Sequence, residues 1–227
     1  MTHWMITGAN RGIGLGLTKA VARRGETVTA SVRTEAARAQ LAASGALKGG
    51  AIMAFDLRDD ATIRAAAAAS DAPIDVLIAN AGAYGPERQA PLDMDFDGAL
   101  DLFSINALGP LRVAQAFLPR LRRGRNPRIV FMSSVMGSMA LEGSFNVAYR
   151  ASKAALNKFM QGLAEDVKGD GVTVISLHPG WVRTDMGGAD APLTVEESVA
   201  GIIKTVDALT RAQTGTFLDY RGVRVEW

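Results

Sequence analysis

The chain has 227 residues, of which 48% are hydrophobic and 21% charged, and it contains no cysteine. That apolar fraction excludes a disordered chain, and a domain of this length removes roughly 70% of its unfolded surface from water without disulfide or metal staples. With 25 Lys and Arg against 23 Asp and Glu the net charge is +2, weak grounds for a nucleic acid partner, and the absence of Cys excludes thiol chemistry and the usual Cys/His zinc sites.

Apolar runs of strand length alternate with helical patterns. In chain order they read as strand 4–7, helix 14–24, strand 27–31, helix 35–46, strand 51–55, helix 59–69, strand 76–79, helix 96–122, strand 128–132, helix 148–169, strand 172–177, helix 195–209 and strand 216–219. Such alternation needs crossover connections, and hence a parallel sheet. The expected fold is α/β: a single doubly wound Rossmann domain over residues 1–227, with a mostly parallel seven-stranded sheet and helices on both faces. Gly109-Pro110 lies inside helix 96–122 and should kink it just after Asn106. No run reaches the roughly 18 apolar residues of a membrane span and no secretory signal is seen, so no membrane is expected and the cytoplasm is the expected compartment.

The first strand runs into Thr7-Gly8-Ala9-Asn10-Arg11-Gly12-Ile13-Gly14 and then a helix. Glycines allow a tight turn and a close backbone approach, and the free N–H groups of a helix start suit a pyrophosphate. The spacing is T-G-x-x-x-G-x-G, not G-x-G-x-x-G, because Leu17 stands where the third glycine would be. No Asp or Glu lies between Thr27 and Thr34 to bind a ribose 2′-OH. Arg33, which closes that stretch, and Arg11 are instead available to a 2′-phosphate, favouring NADP(H) with NAD(H) as the alternative. Asp56-Leu57 and Asn80-Ala81-Gly82 follow the third and fourth strands, at the sheet end where ligands bind.

Tyr149 and Lys153 are i and i+4 on a helix, one face apart by a single turn. A nearby ammonium favours a phenolate, so the pair could exchange a proton with a carbonyl or carbinol. Ser134, fifteen residues before Tyr149, could donate to a substrate oxygen as its charge grows; Ser133 competes on spacing alone. His3 and His178 read as structural, and the acids Asp93, Asp95, Asp97 and Asp101 as helix caps and solvated side chains. Arg120, Arg122, Arg123, Arg125 and Arg128 read as a solvated helix end. Met132, Met136, Met139, Leu141 and Phe145 are either core or the wall of an apolar pocket.

Taken together these motifs resemble the short-chain dehydrogenase/reductase family of the classical type, along essentially the whole chain. The stretch from Gly215 to Trp227 is similar to its C-factor-like branch, near carbonyl reductases. The resemblance implies a catalytic set of Asn106, Ser134, Tyr149 and Lys153. Tyr149 would handle the proton, Lys153 would lower its pKa and hold the nicotinamide ribose, Ser134 would polarise the carbonyl, and Asn106 would organise a water relay. It further implies cofactor contacts from Gly8, Asn10, Arg11, Gly12, Ile13, Gly14, Arg33, Asp56, Leu57, Asn80, Ala81 and Gly82, and from Pro179, Gly180, Val182 and Thr184 at the nicotinamide. The implied activity is hydride transfer between NADP(H) and a small-molecule carbonyl or secondary alcohol, in a homodimer or homotetramer, without metal. The alternative is a dinucleotide-binding signalling or regulatory protein of the C-factor type. Ala79 replaces the first Asn of the usual N-N-A-G, and the segment from Thr184 to Leu193 is short.

Overall fold

The computed structural model describes residues 1–47 and 49–227. Its main sheet is built from β1 (His3–Thr7), β2 (Thr27–Val32), β3 (Ala51–Ala54), β4 (Val76–Ala79), β7 (Arg128–Met132), β8 (Thr173–His178) and β9 (Phe217–Asp219). The strand order is β3-β2-β1-β4-β7-β8-β9, and every pairing is parallel. Two short strands, β5 (Gln89–Ala90) and β6 (Asp93–Met94), form a separate antiparallel ribbon.

Strand residues alternate between two cores, as the two-residue pleat requires. Trp4, Ile6, Val76 and Ile78 face α1 (Gly12–Arg23), α2 (Glu35–Ala43) and α7 (Val195–Asp207), whereas Met5, Leu77, Ile129 and Phe131 face α3 (Asp60–Ala68), α5 (Gly109–Leu121) and α6 (Val147–Asp166). The sheet is thus sandwiched between two helical layers, as expected. The strand order reverses between β1 and β4, which opens a crevice at their C-terminal ends.

Helix 96–122 is not one α-helix. It runs as α4 (Phe96–Phe103), a π-helical turn at Ser104–Leu108, and α5. The Gly109 N–H bonds the Ser104 carbonyl five residues back. Pro110 has no N–H, so the Asn106 carbonyl lacks its α-helical donor, and the wider turn absorbs the mismatch. The helix expected to reach 169 ends at Asp166, and a single 3-10 turn (Lys168–Asp170) follows. The arginine cluster is not uniformly solvated. Arg120 is buried, its Nε donating to the Ala72 carbonyl at 2.7 Å and its guanidinium lying 5.4 Å from the Phe117 ring. Arg122 and Arg123 are paired with Asp170 and Asp71.

Candidate active site

A cleft of about 550 Å³ lies over the C-terminal ends of β1, β2, β4 and β7. Its lining includes the glycine-rich turn (Gly8, Asn10, Arg11, Gly12 and Ile13) and the pair Tyr149 and Lys153. Arg33, Asp56, Leu57, Asn80, Ala81, Gly82, Pro179 and Thr184 line it as well. Ser133 lines the cleft too, whereas Gly14, Asn106, Ser134, Gly180 and Val182 are not part of its lining.

The glycines at the β1 end are set by close approach. Gly8 has φ +67°, and a Cβ there would lie 2.9 Å from the Ala81 Cα. A Cβ on Gly14 would lie 2.2 Å from the Gly8 carbonyl oxygen. Asn80 braces the same turn, its Nδ2 donating to the Thr7 carbonyl at 2.9 Å, while the Ala81 N–H donates to the Thr7 hydroxyl at 3.0 Å. The start of α1 has no side-chain cap and no acidic residue in its first turn. Its free N–H groups and partial positive charge therefore suit an anion.

Three arginines, Arg11, Arg33 and Arg58, line the cleft, one more than the sequence singles out. Arg33 is exposed and near enough to Asp56 to favour its carboxylate. Arg58 chelates Asp56 at 2.7 Å and reaches Asp101 at 3.1 Å. Its hydrogen bonds are the main reason that the Asp56 pKa lies below the ordinary value. Arg11 pairs with Asp185 at 2.8 Å, bringing the loop after β8 against the glycine-rich turn. Arg58 directly follows Asp56-Leu57, so the strand-end rule applied one position further would have found it, whereas Asp185 lies seven residues beyond the end of β8 and carries no such signal.

Lys153 is buried. Its Nζ donates to the Met132 carbonyl at 2.9 Å and lies 5.8 Å from the centroid of the Tyr149 ring. Burial pulls its pKa down to about 8. Tyr149 is buried too, and desolvation pushes it up to about 12 against the opposing hydrogen bond of Ser134. The expected lowering of the phenol by Lys153 does not act here: burial sets the direction, and the ammonium lies 5.8 Å from the ring centroid, bonded to the Met132 carbonyl.

The two serines are distinguished by their partners. Ser133 donates to the Asn157 carboxamide at 2.7 Å. The Ser134 hydroxyl accepts from the Met136 N–H at 3.2 Å and is hydrogen-bonded to the Tyr149 phenol. The Asn106 carboxamide is engaged locally: it exchanges two 2.8 Å bonds with the Ala83 backbone and donates to the Ser152 hydroxyl at 3.1 Å. Gly180, with φ +87°, packs against Leu193, and the buried Val182 is bridged to the same residue. Thr184 faces Gly12 and accepts from the Gly187 N–H at 3.1 Å. Burial pulls the His178 pKa down to about 4. Met132 lines the cleft, whereas Met139 and Phe145 are exposed. Among the described residues no cluster of acids and histidines could hold a metal ion, and no helix is long and apolar enough to cross a membrane.

The family model described as short chain dehydrogenase matches residues 2–192. The chain is 46% identical over 158 residues to the C-signal of Myxococcus xanthus, covering 68% of this chain and 93% of that protein. Among solved structures it resembles the carbonyl reductase Sniffer of D. melanogaster, with a TM-score of 0.91, 33% identity and full coverage of both chains. It also resembles the NADPH-bound carbonyl reductase from chicken fatty liver, with a TM-score of 0.90 and 30% identity over 100% of this chain and 99% of that one.

Proposed function

The chain belongs to the short-chain dehydrogenase family, and from that premise we propose that it is an NADP(H)-dependent reductase of ketones or aldehydes, with Tyr149 as the proton donor. One observation carries the proposal: a single cleft is lined both by an uncapped helix start and by a buried Tyr–Lys pair. The cleft's residues fit a dinucleotide. The start of α1 would take the pyrophosphate, Arg11 and Arg33 the 2′-phosphate, and Lys153, Pro179 and Thr184 the nicotinamide half. NADPH, when bound, supplies the hydride to the carbonyl carbon.

The protein's own groups manage the resulting charge. Ser134 and Tyr149 hold the substrate oxygen, and Ser134 donates to it as negative charge grows. Tyr149 then gives up its proton. A phenol held near pKa 12 keeps that proton through neutral pH, the form a proton donor needs. Lys153 stabilises the phenolate left behind while it carries its own proton. Asn106 has no free carboxamide, so its contribution to a water relay falls to its main-chain carbonyl, released by Pro110.

Tyr149→Phe is expected to lower kcat by about 10²–10⁴-fold on a carbonyl that the wild type reduces. Near-wild-type turnover would refute the mechanism. Arg33→Ala is expected to weaken NADPH binding at least about tenfold, or about 1.4 kcal/mol, and leave NADH binding unchanged. Fluorescence titration with both dinucleotides tests this, and equal weakening of the two removes the role given to Arg33.

The 46% identity to C-signal supports a second reading, a signalling protein that binds the dinucleotide without turnover. NADPH binding with no oxidation across a carbonyl panel would favour it. Copies of the chain are proposed to associate through α4, where Phe96 and Leu100 stand exposed one turn apart.

A further inference from the structure

Tyr149 sits in the first turn of α6, where backbone N–H groups have no partner within the helix. A side chain at the N-cap ordinarily accepts from one of them. Here the N-cap is Asn146, in the left-handed region at φ 51°, and it makes no such bond. Its carboxamide donates instead to the Tyr84 hydroxyl. The Tyr149 N–H is served from a distant part of the chain: it donates to Gln89 Oε1 at 2.8 Å.

Gln89 is buried at 3% exposure in the ribbon of β5 and β6. Its Nε2 donates to the carbonyls of Tyr84 and Pro86, at 3.0 and 2.8 Å. The turn between them needs Gly85 at φ +97°, and a Cβ there would come within 2.6 Å of Leu102. The Tyr84 ring lies 5.0 Å from the Tyr149 ring. On the far side of Tyr149, its carbonyl accepts from the Ser152 hydroxyl at 2.7 Å, and that hydroxyl accepts from Asn106, which is bonded to Ala83. The chain from Ala83 to Tyr84 closes the circuit. Both main-chain polar groups of Tyr149 are thereby gripped, the carbonyl through Asn106 and the N–H by Gln89.

We propose that Gln89 is a positioning residue for Tyr149: its carboxamide fixes the start of α6 from outside the helix and, through the Tyr84 carbonyl, holds the aromatic ring that packs, tilted by 40°, against the phenol. The inference rests on Tyr149 being the proton donor. Only a group that accepts on one side and donates on the other satisfies this environment. An ionised carboxylate would still accept from the Tyr149 N–H but would set its second oxygen against two carbonyl oxygens. A protonated carboxyl would restore one donor.

The test compares Gln89→Ala and Gln89→Glu with the wild type and Tyr149→Phe, using a carbonyl that the wild type reduces with NADPH. Gln89→Ala is expected to lose at least tenfold in kcat at every pH, with the NADPH dissociation constant within twofold of wild type. Gln89→Glu is expected to keep most of kcat at low pH and lose it as the new carboxyl ionises, a limb absent from the wild type. Independently of turnover, hydrogen exchange of the Tyr149 amide should accelerate at least tenfold in Gln89→Ala.

Wild-type kcat and unchanged amide exchange in Gln89→Ala overturn the inference. So does a loss of kcat that follows the loss of folded protein by circular dichroism, with no new limb in Gln89→Glu. An active Tyr149→Phe sinks the functional reading instead. An inactive Tyr149→Phe beside a fully active Gln89→Ala sinks only the role of Gln89.

Discussion

Single residues in this site do different work from what their types suggest. Lys153 is a buried ammonium whose pKa falls to about 8, below its unfolded value near 10.5, so the unfolded chain binds more protons between those two pH values. Stability contributed at this site therefore rises from about pH 8 to about pH 10.5. Removing the charge with Lys153→Met is expected to stabilise the protein at pH 7 by up to roughly 3 kcal/mol, a gain that fades toward pH 10. Denaturant titration at both pH values checks the sign, and a destabilised variant at pH 7 contradicts it. Activity moves the opposite way. With NADPH saturating, wild-type kcat for reduction is expected to fall by up to about tenfold per unit above pH 8 as Lys153 loses its proton, while Tyr149 stays protonated up to about 12. Tyr149 and Lys153 were legible in the sequence because i, i+4 spacing on a helix is a local property. The balance of burial against charge that sets their pKa values was not, since desolvation is a sum over the whole fold.

Elements carry these residues to the cleft, and their ends are where the sequence speaks most clearly. The start of α7 is a capping box: Thr194 accepts from the Glu197 N–H at 3.1 Å and the Glu197 carboxylate accepts from the Thr194 N–H at 2.8 Å. The same helix bonds the turn after β8, Ser198 donating to the Pro179 carbonyl at 2.7 Å. Thr194→Ala is expected to lower stability by about 1 kcal/mol, or roughly 2–4 °C in Tm, with little change in the NADPH dissociation constant. A Tm unchanged within a degree would show that the cap contributes nothing. The π-helical turn and the ribbon of β5 and β6 were not legible. Periodicity cannot see a one-residue expansion inside a helix, nor two-residue strands, although Gly109-Pro110 marked the first of them. That expansion places Asn106 against Ala83 and Ser152.

At the scale of the whole molecule, the domain ties several of the chain's scattered arginines into the fold. Arg120 is buried, Arg122 and Arg123 are paired, and Arg58 is held by two aspartates. The exposed apolar residues of α4 are the larger anomaly. Phe96 is 72% exposed and Leu100 70%, and side chains of this size one turn apart form an apolar patch of the kind that marks an interaction surface. Sedimentation velocity is expected to find a dimer or tetramer, and Leu100→Lys is expected to dissociate it at least tenfold more readily. A monomer at all concentrations would leave that face unexplained and end the proposal. The sequence by itself determined the strand–helix rhythm, the glycine turn and the Tyr–Lys spacing, because each is set by neighbours a few residues apart. Only the tertiary structure decided which serine meets the phenol, that Asn106 is committed to Ala83, and that Gln89 reaches Tyr149 across sixty residues. Those outcomes depend on which polar groups burial leaves without water, and partners for such groups are found in space rather than along the chain.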